Sequence, residues 1–70
     1  MRLNELKAEL VRQGKTVSDL ANAIGKDRST ASMKLNGHRS FTDKEKIKVM
    51  DYLGLEYSEM AKIFLPKRLS

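Results

Sequence analysis

The sequence lacks cysteine and tryptophan, and its 70 residues include a single histidine, His38. Without cysteine, the chain can form neither a disulfide framework nor a thiolate metal site. One histidine also excludes the multi-histidine ligand sets that are typical of zinc sites. We therefore predict that the protein holds no metal and no cofactor, and that packing alone stabilises its fold.

Long apolar runs are missing as well. No stretch approaches the roughly 18 consecutive apolar residues that a membrane-spanning helix needs. The N-terminal stretch MRLNELKAEL carries a charge every few positions, unlike the apolar segment of a secretory signal peptide. We expect a cytoplasmic protein with no membrane partner.

The residue sets that enzymes use are also missing. One histidine and no cysteine cannot supply a Ser/His/Asp or Cys/His arrangement, and no glycine-rich phosphate loop or metal-spaced cluster occurs. Several short helices rarely enclose a catalytic pocket. We predict that the protein is not an enzyme.

What the sequence does contain is a helical pattern of apolar residues, mainly Leu, Ile, Val, Met and Ala. In the first segment, Leu3, Leu6, Leu10 and Val11 have the spacing of one helix face. In the fourth, the apolar residues are Ile47, Val49, Met50 and Leu53. A chain of this length has room for one domain. We predict an all-α fold in a single domain, residues 1–66, with residues 67–70 as a tail. The expected helices cover approximately residues 2–12, 16–24, 28–35, 42–53 and 57–64.

Helix start and stop signals separate these segments, and Gly25 is the predicted stop of the second helix. Thr42 and Glu45 form a complete capping box after the apolar Phe41, and Thr16 with Asp19 forms a shorter version. We also predict that Asp27 is the N-cap of the third helix. That helix has a thin apolar stripe, which consists of Ala31 and Leu35. We infer that it does not exist only for packing.

Positive charge is concentrated in the middle of the chain. Residues 26–48 carry seven basic and three acidic side chains, a net charge of +4, whereas residues 1–25 carry +1 and residues 49–70 carry none. Such a concentration is typical of a surface that binds a polyanion. A solvated lysine-rich surface explains the charge equally well.

The segment TVSDLANAIGKDRSTASMKLNG resembles the helix-turn-helix of the phage repressor/Cro family. The matching positions are Leu20 and Ala21, Gly25, and the pair Asn36 and Gly37. The resemblance extends over about residues 2–64. It implies a compact five-helix fold of the lambda-repressor type, in which helices 2 and 3 form the helix-turn-helix.

The resemblance also implies a function, that of a sequence-specific DNA-binding transcriptional regulator in a bacterial or phage-infected cell. In this family the second motif helix, here residues 28–36, enters the major groove of a double-stranded operator. The expected base-contacting residues are Arg28, Ser29, Ser32 and Met33. The expected contacts to the DNA backbone are Lys26, Lys34, Asn36, His38 and Arg39.

Some of these residues have a second interpretation. Arg28 is the strongest candidate, because a guanidinium can donate two hydrogen bonds to guanine. Met33 can contact a thymine methyl group or fill a gap in the core. His38 can equally be an exposed loop residue without a role. The lysines of the fourth helix, Lys44, Lys46 and Lys48, fit a solvated face better than direct contacts.

The sequence departs from the family pattern at three positions. Val17 stands where the family often has a glutamine that bonds to phosphate, so this contact is lost. Ala31 stands where Ile or Val is usual, which leaves the third helix lightly anchored unless Phe41 fills the space. Asp27 brings a negative charge close to the expected phosphates, beside Lys26 and Arg28.

Two types of protein partner are expected. Family members usually bind two half-sites as a dimer, and the apolar residues Ile63, Phe64, Leu65 and Leu69 can supply a dimer contact. Ile63 and Phe64 can instead close the core. The alternative to DNA binding is a protein–protein interaction module on the same fold, either a modulator that binds a phage repressor or an antitoxin.

Overall fold

The computed structural model describes residues 3–64, and this part of the chain forms five α-helices and no strand. The helices are α1 (Leu3–Arg12), α2 (Val17–Ile24), α3 (Arg28–Leu35), α4 (Asp43–Leu53) and α5 (Tyr57–Phe64). The predicted all-helical architecture is confirmed. Leu65, Pro66, Leu69 and the predicted tail lie outside the described residues.

Local signals start the helices where expected. The Thr16 hydroxyl accepts a hydrogen bond from Asp19 N at 3.2 Å, and the Asp19 carboxylate accepts one from Thr16 N at 2.8 Å. Thr42 and Glu45 form the same pair of bonds at the start of α4, at 3.1 and 2.9 Å. Each capping box therefore satisfies two backbone donors that the first turn of a helix leaves open.

A left-handed glycine makes the turn between α2 and α3. Gly25 has φ 72° and ψ 33°, a conformation that side chains with a Cβ rarely adopt. Lys26 N donates a hydrogen bond back to Ala21 O at 3.0 Å, which closes the end of α2. Because the turn is so short, α3 begins immediately beside α2 and packs against it.

One apolar core connects the five helices. It consists of Leu6, Leu10, Leu20, Ala21, Ile24, Ala31, Leu35, Phe41, Val49, Leu53, Ile63 and Phe64. Phe41, from the segment between α3 and α4, packs edge-to-face on Phe64 with ring centroids 5.3 Å apart. Ile63 and Phe64 therefore close the core.

Two apolar residues predicted to face the core do not. Val11 is 78% exposed and Ile47 is 52% exposed. On α1, Val11 lies one position beyond the buried Leu10 and hence about 100° around the helix. On α4, Ile47 lies two positions before the buried Val49, almost on the opposite side. Both predictions were wrong because a few apolar residues allow more than one stripe.

Candidate nucleic-acid interface

α3 is held to the rest of the protein by one side only. Its buried residues are Ala31, Lys34 and Leu35, and they face α2 and the core. The positions between them point away from the protein, because helical residues three and four apart share a face. α3 therefore presents one whole side of its surface outward.

The four predicted base-contacting residues lie together on this outward side. Arg28 and Ser29 are exposed in the first turn of α3, and Ser32 is half-buried one turn later. Met33 is 37% exposed, so it is not a core residue. We call Arg28, Ser29, Ser32 and Met33 the outward face of α3.

Asn36 ends this face and is held on two sides. Its Nδ2 donates to Ser32 O at 2.9 Å, and its Oδ1 accepts from Lys7 Nζ at 2.9 Å. The side-chain amide remains exposed. Lys7 is a functional candidate that sequence reasoning missed, because no local pattern indicates that α1 and the end of α3 are neighbours.

Asp27 is the N-cap of α3, as predicted, but its side chain makes no capping bond to the backbone. Its Oδ1 instead accepts a hydrogen bond from Thr30 Oγ1 at 2.5 Å. That bond holds the pKa of Asp27 below its ordinary value. A negative charge therefore stays at the start of α3, between Lys26 and Arg28.

The segment after α3 carries the next predicted contacts. His38 N and Arg39 N both donate to Met33 O, at 2.8 and 3.3 Å, so this segment folds back onto α3. Gly37 permits the reversal with φ 84°. The side chains of His38 and Arg39 are exposed, as is that of Lys26 at the other end of α3.

The structure corrects the placement of Lys34. The residue is only 7% exposed, and its Nζ donates a hydrogen bond to Glu45 Oε1 at 2.5 Å. Position 34 follows the buried Ala31 by three residues and therefore lies on the inward side of α3. Lys34 is thus not one of the exposed cations that were predicted to line the groove.

Glu45 has two roles in this buried ion pair. The same Oε1 that binds Lys34 also accepts the capping bond from Thr42 N at 2.9 Å. Burial by itself raises the pKa of Glu45, but the hydrogen bonds from Lys34 and Thr42 outweigh it, and the pKa is lower than the ordinary value. One carboxylate therefore joins α3 to the start of α4.

A cleft lies between α3 and the segment that follows it. We call it the α3 cleft, and its lining residues are Lys26, Thr30, Lys34, Arg39 and Ser40. Three of these residues are the predicted backbone contacts Lys26, Lys34 and Arg39. Thr30 and Ser40 were not predicted, because only the packing of the segment after α3 brings them beside these cations.

Other sites are not indicated by the described part of the chain. Among residues 3–64 there is no group of three or more acidic, histidine or cysteine side chains that could hold a metal ion. None of the five helices has the length and apolar composition required to cross a bilayer. The most distinctive chemistry is therefore that of α3 and its cleft.

We compared the chain with protein-family models, with curated proteins and with solved structures, and none of them matches it.

Proposed function

We propose that the protein is a sequence-specific DNA-binding transcriptional regulator that reads the major groove with α3. The observation that carries this proposal is the outward face of α3. Five of its eight residues are not buried, and the four that form the outward face are a cation, two hydroxyls and one flexible apolar residue. These are side chains that bind the edges and methyl groups of bases.

The arrangement of α2 and α3 supports a helix-turn-helix of the lambda-repressor type. Both helices have eight residues, they pack directly on each other, and Gly25 makes the tight turn between them. In the phage repressor/Cro family, which the sequence resembles, such a pair places the second helix in the major groove.

The charge around α3 also supports DNA binding. The Lys34–Glu45 pair is buried, and removing it leaves the net charge of residues 26–48 at +4. Lys26, Arg28 and Arg39 are exposed around α3. Cations in these places neutralise phosphates and make affinity decrease steeply with salt concentration.

The proposal is tested by selection of binding sites from random DNA duplexes, followed by affinity measurements on the selected sequence. We expect an enriched site with two half-sites, because one short helix contacts too few base pairs for useful specificity. A second copy of this chain is then the partner on DNA. No enrichment above the starting pool would contradict the proposal.

The variant Arg28→Ala tests the proposed contact between Arg28 and a base. We expect selectivity at one base pair to fall by about 5- to 150-fold, the loss that corresponds to about 1–3 kcal/mol for a bidentate contact to guanine. The matched control is Lys48→Ala, an exposed cation on α4. It removes the same charge and should reduce all affinities slightly without changing selectivity. Equal selectivity of Arg28→Ala and wild type would refute the assignment.

The second candidate is a protein–protein interaction module, either a modulator of a phage repressor or an antitoxin. The observation in its favour is Met33, whose exposed fraction of 37% places a flexible apolar side chain on the outward face. Salt dependence separates the two functions. A protein complex centred on Met33 keeps most of its affinity between about 50 and 200 mM salt, whereas a DNA complex does not.

A further inference from the structure

We propose that hydrogen bonds from Lys7 through Asn36 to Ser32 fix the direction in which the Ser32 hydroxyl donates, so that Ser32 selects a base with an acceptor atom. We call these three residues the Lys7 network. The inference rests on the proposed function, in which Ser32 meets a base edge in the major groove. It goes further, because it names the chemical group that Ser32 contacts and makes Lys7 a positioning residue.

The Lys7 network joins α1 to the outward face of α3. Lys7 Nζ donates to Asn36 Oδ1 at 2.9 Å. Asn36 Nδ2 donates to Ser32 O at 2.9 Å and to Ser32 Oγ at 3.4 Å. Within residues 3–64, Lys7 forms no ion pair with an acidic side chain, and Asn36 is the one residue to which its ammonium group donates. The ammonium group is therefore committed to the Asn36 amide.

The orientation of the Asn36 amide is fixed by partners that cannot exchange roles. An ammonium group has only N–H donors, and a backbone carbonyl oxygen only accepts. An amide turned by 180° would place donors against Lys7 and an acceptor against Ser32 O, and both 2.9 Å bonds would be lost. Lys7, on α1, therefore helps to determine which end of the Asn36 amide meets Ser32.

This orientation in turn directs the Ser32 hydroxyl. An amide nitrogen donates hydrogen bonds and accepts none, so the hydroxyl hydrogen cannot point at Asn36 Nδ2. The one bond of the hydroxyl within residues 3–64 is the bond that it accepts from Asn36. It makes no bond to the backbone of its own helix, the usual acceptor for a serine in the middle of a helix. Its O–H donor is therefore left for a ligand.

A hydroxyl that donates discriminates between bases. Ser32 lies on the outward face, one turn after Ser29. In the major groove, guanine, thymine and adenine each offer an acceptor atom, whereas cytosine offers only the donor hydrogens of N4. Cytosine therefore leaves the Ser32 hydroxyl without an acceptor, which costs free energy where the duplex excludes water. We expect about fivefold weaker binding when cytosine stands at the base that meets Ser32.

The first experiment locates this base. Affinities are measured for the selected duplex with each of the four bases at every position. Ser32→Ala should abolish the discrimination against cytosine at one position in each half-site. Ser29→Ala is the matched control, because Ser29 is a serine of the same face without a bond to Asn36, and it should keep that discrimination. A preference for cytosine at the position that Ser32→Ala affects would overturn the proposal.

The second experiment tests Lys7 as a positioning residue. Lys7→Met removes the donor, and thermal unfolding verifies that the variant is folded. We expect the discrimination against cytosine to fall from about fivefold to less than about twofold, while selectivity at the base that meets Arg28 is kept. Lys7→Arg should retain the wild-type discrimination, because a guanidinium group also only donates. Lys48→Met, which removes the same charge from α4, should leave it unchanged.

A double-mutant cycle separates this role from a contact between Lys7 and a phosphate. In the Ser32→Ala background, Lys7→Met should cause no further change at the base that meets Ser32, because the two residues act through one network. A phosphate contact would instead weaken the binding of all sequences by the same factor. Such a uniform loss, with discrimination against cytosine intact, would overturn the proposal.

The third experiment needs no DNA. Exchange of the Asn36 Nδ2 hydrogens with water is measured by NMR on the full-length chain, and Lys7→Met should accelerate it by about fivefold, whereas Lys7→Arg should not. Equal exchange in Lys7→Met and wild type would contradict the network. If random duplexes enrich no site, the proposed function fails and the base contact of Ser32 fails with it. If a site is enriched and Lys7→Met changes no base preference, the network proposal fails and the proposed function stands.

Discussion

α2 and α3 are neighbouring helices of eight residues each, yet different interactions hold them in place. α2 buries Leu20, Ala21 and Ile24, and a capping box and a left-handed glycine define its two ends. α3 buries two apolar residues and a lysine, and Asp27 makes no bond to its first backbone N–H groups. α2 is therefore specified mainly by its own sequence, whereas α3 depends on partners from other parts of the chain.

This difference is useful for a helix that binds a ligand. A helix with most of its residues buried in the core would have few left for an outward face. α3 is stabilised instead by contacts at its inward side and its C-terminal end, including Lys34 with Glu45 and Asn36 with Lys7. The polar outward face is thus a consequence of anchoring from elsewhere.

The largest effect is expected when the ion pair that anchors α3 is removed. Lys34→Met leaves the Glu45 charge buried without a partner, and we expect the free energy of unfolding to fall by about 3–5 kcal/mol. Chemical denaturation measures this change. The control Lys48→Met alters an exposed lysine of α4 and should stay within about 0.5 kcal/mol of wild type. Similar stabilities of the two variants would mean that the pair does not anchor α3.

Substitutions at the two N-caps should change stability less, and they test the same difference between α2 and α3. Thr16→Ala should destabilise the protein by about 1 kcal/mol, because the Thr16 hydroxyl caps the backbone of α2. Asp27→Ala should have a smaller effect, because the Asp27 carboxylate bonds to the Thr30 hydroxyl and not to the backbone of α3. Denaturation of both variants under the same conditions shows which substitution destabilises the protein more. The reverse order would show that Asp27 caps α3 in solution.

The smallest expected effect is a pH dependence of stability that arises from Glu45 in its pair with Lys34. The pKa of Glu45 is lower in the folded protein than its ordinary value of 4.5, so the folded state binds fewer protons in this range. The contribution of Glu45 to stability is therefore complete above that ordinary value. It is lost as the pH falls through the folded pKa.

Melting temperatures from about pH 7 to about pH 3 measure this dependence. Wild type should lose more stability over the range than Glu45→Gln, whose side chain does not titrate. Other carboxylates with lowered pKa values, such as Asp19 and Asp27, titrate in both proteins and cancel in the comparison. Parallel pH profiles would show that the charge of Glu45 does not stabilise the fold.

Much of the helical framework could be predicted, because its signals are local. The capping boxes at Thr16 and Thr42 and the glycine stop at Gly25 involve residues within four positions of one another. The outward position of Arg28 and Ser29 followed from helical spacing once Ala31 and Leu35 were assigned to the core. The exposed Val11 and Ile47 were assigned to the wrong side, because apolar spacing alone does not define which of two stripes is buried.

Local patterns were enough to predict five helices, where each begins and ends, and an α3 with few core residues. Three features needed the folded chain: Lys34 is buried against Glu45, Lys7 holds Asn36, and Thr30 and Ser40 share a cleft with three cations. The difference comes from distance along the chain. Helix caps depend on neighbours within one turn, whereas these side chains are brought together only when separate helices pack around one core.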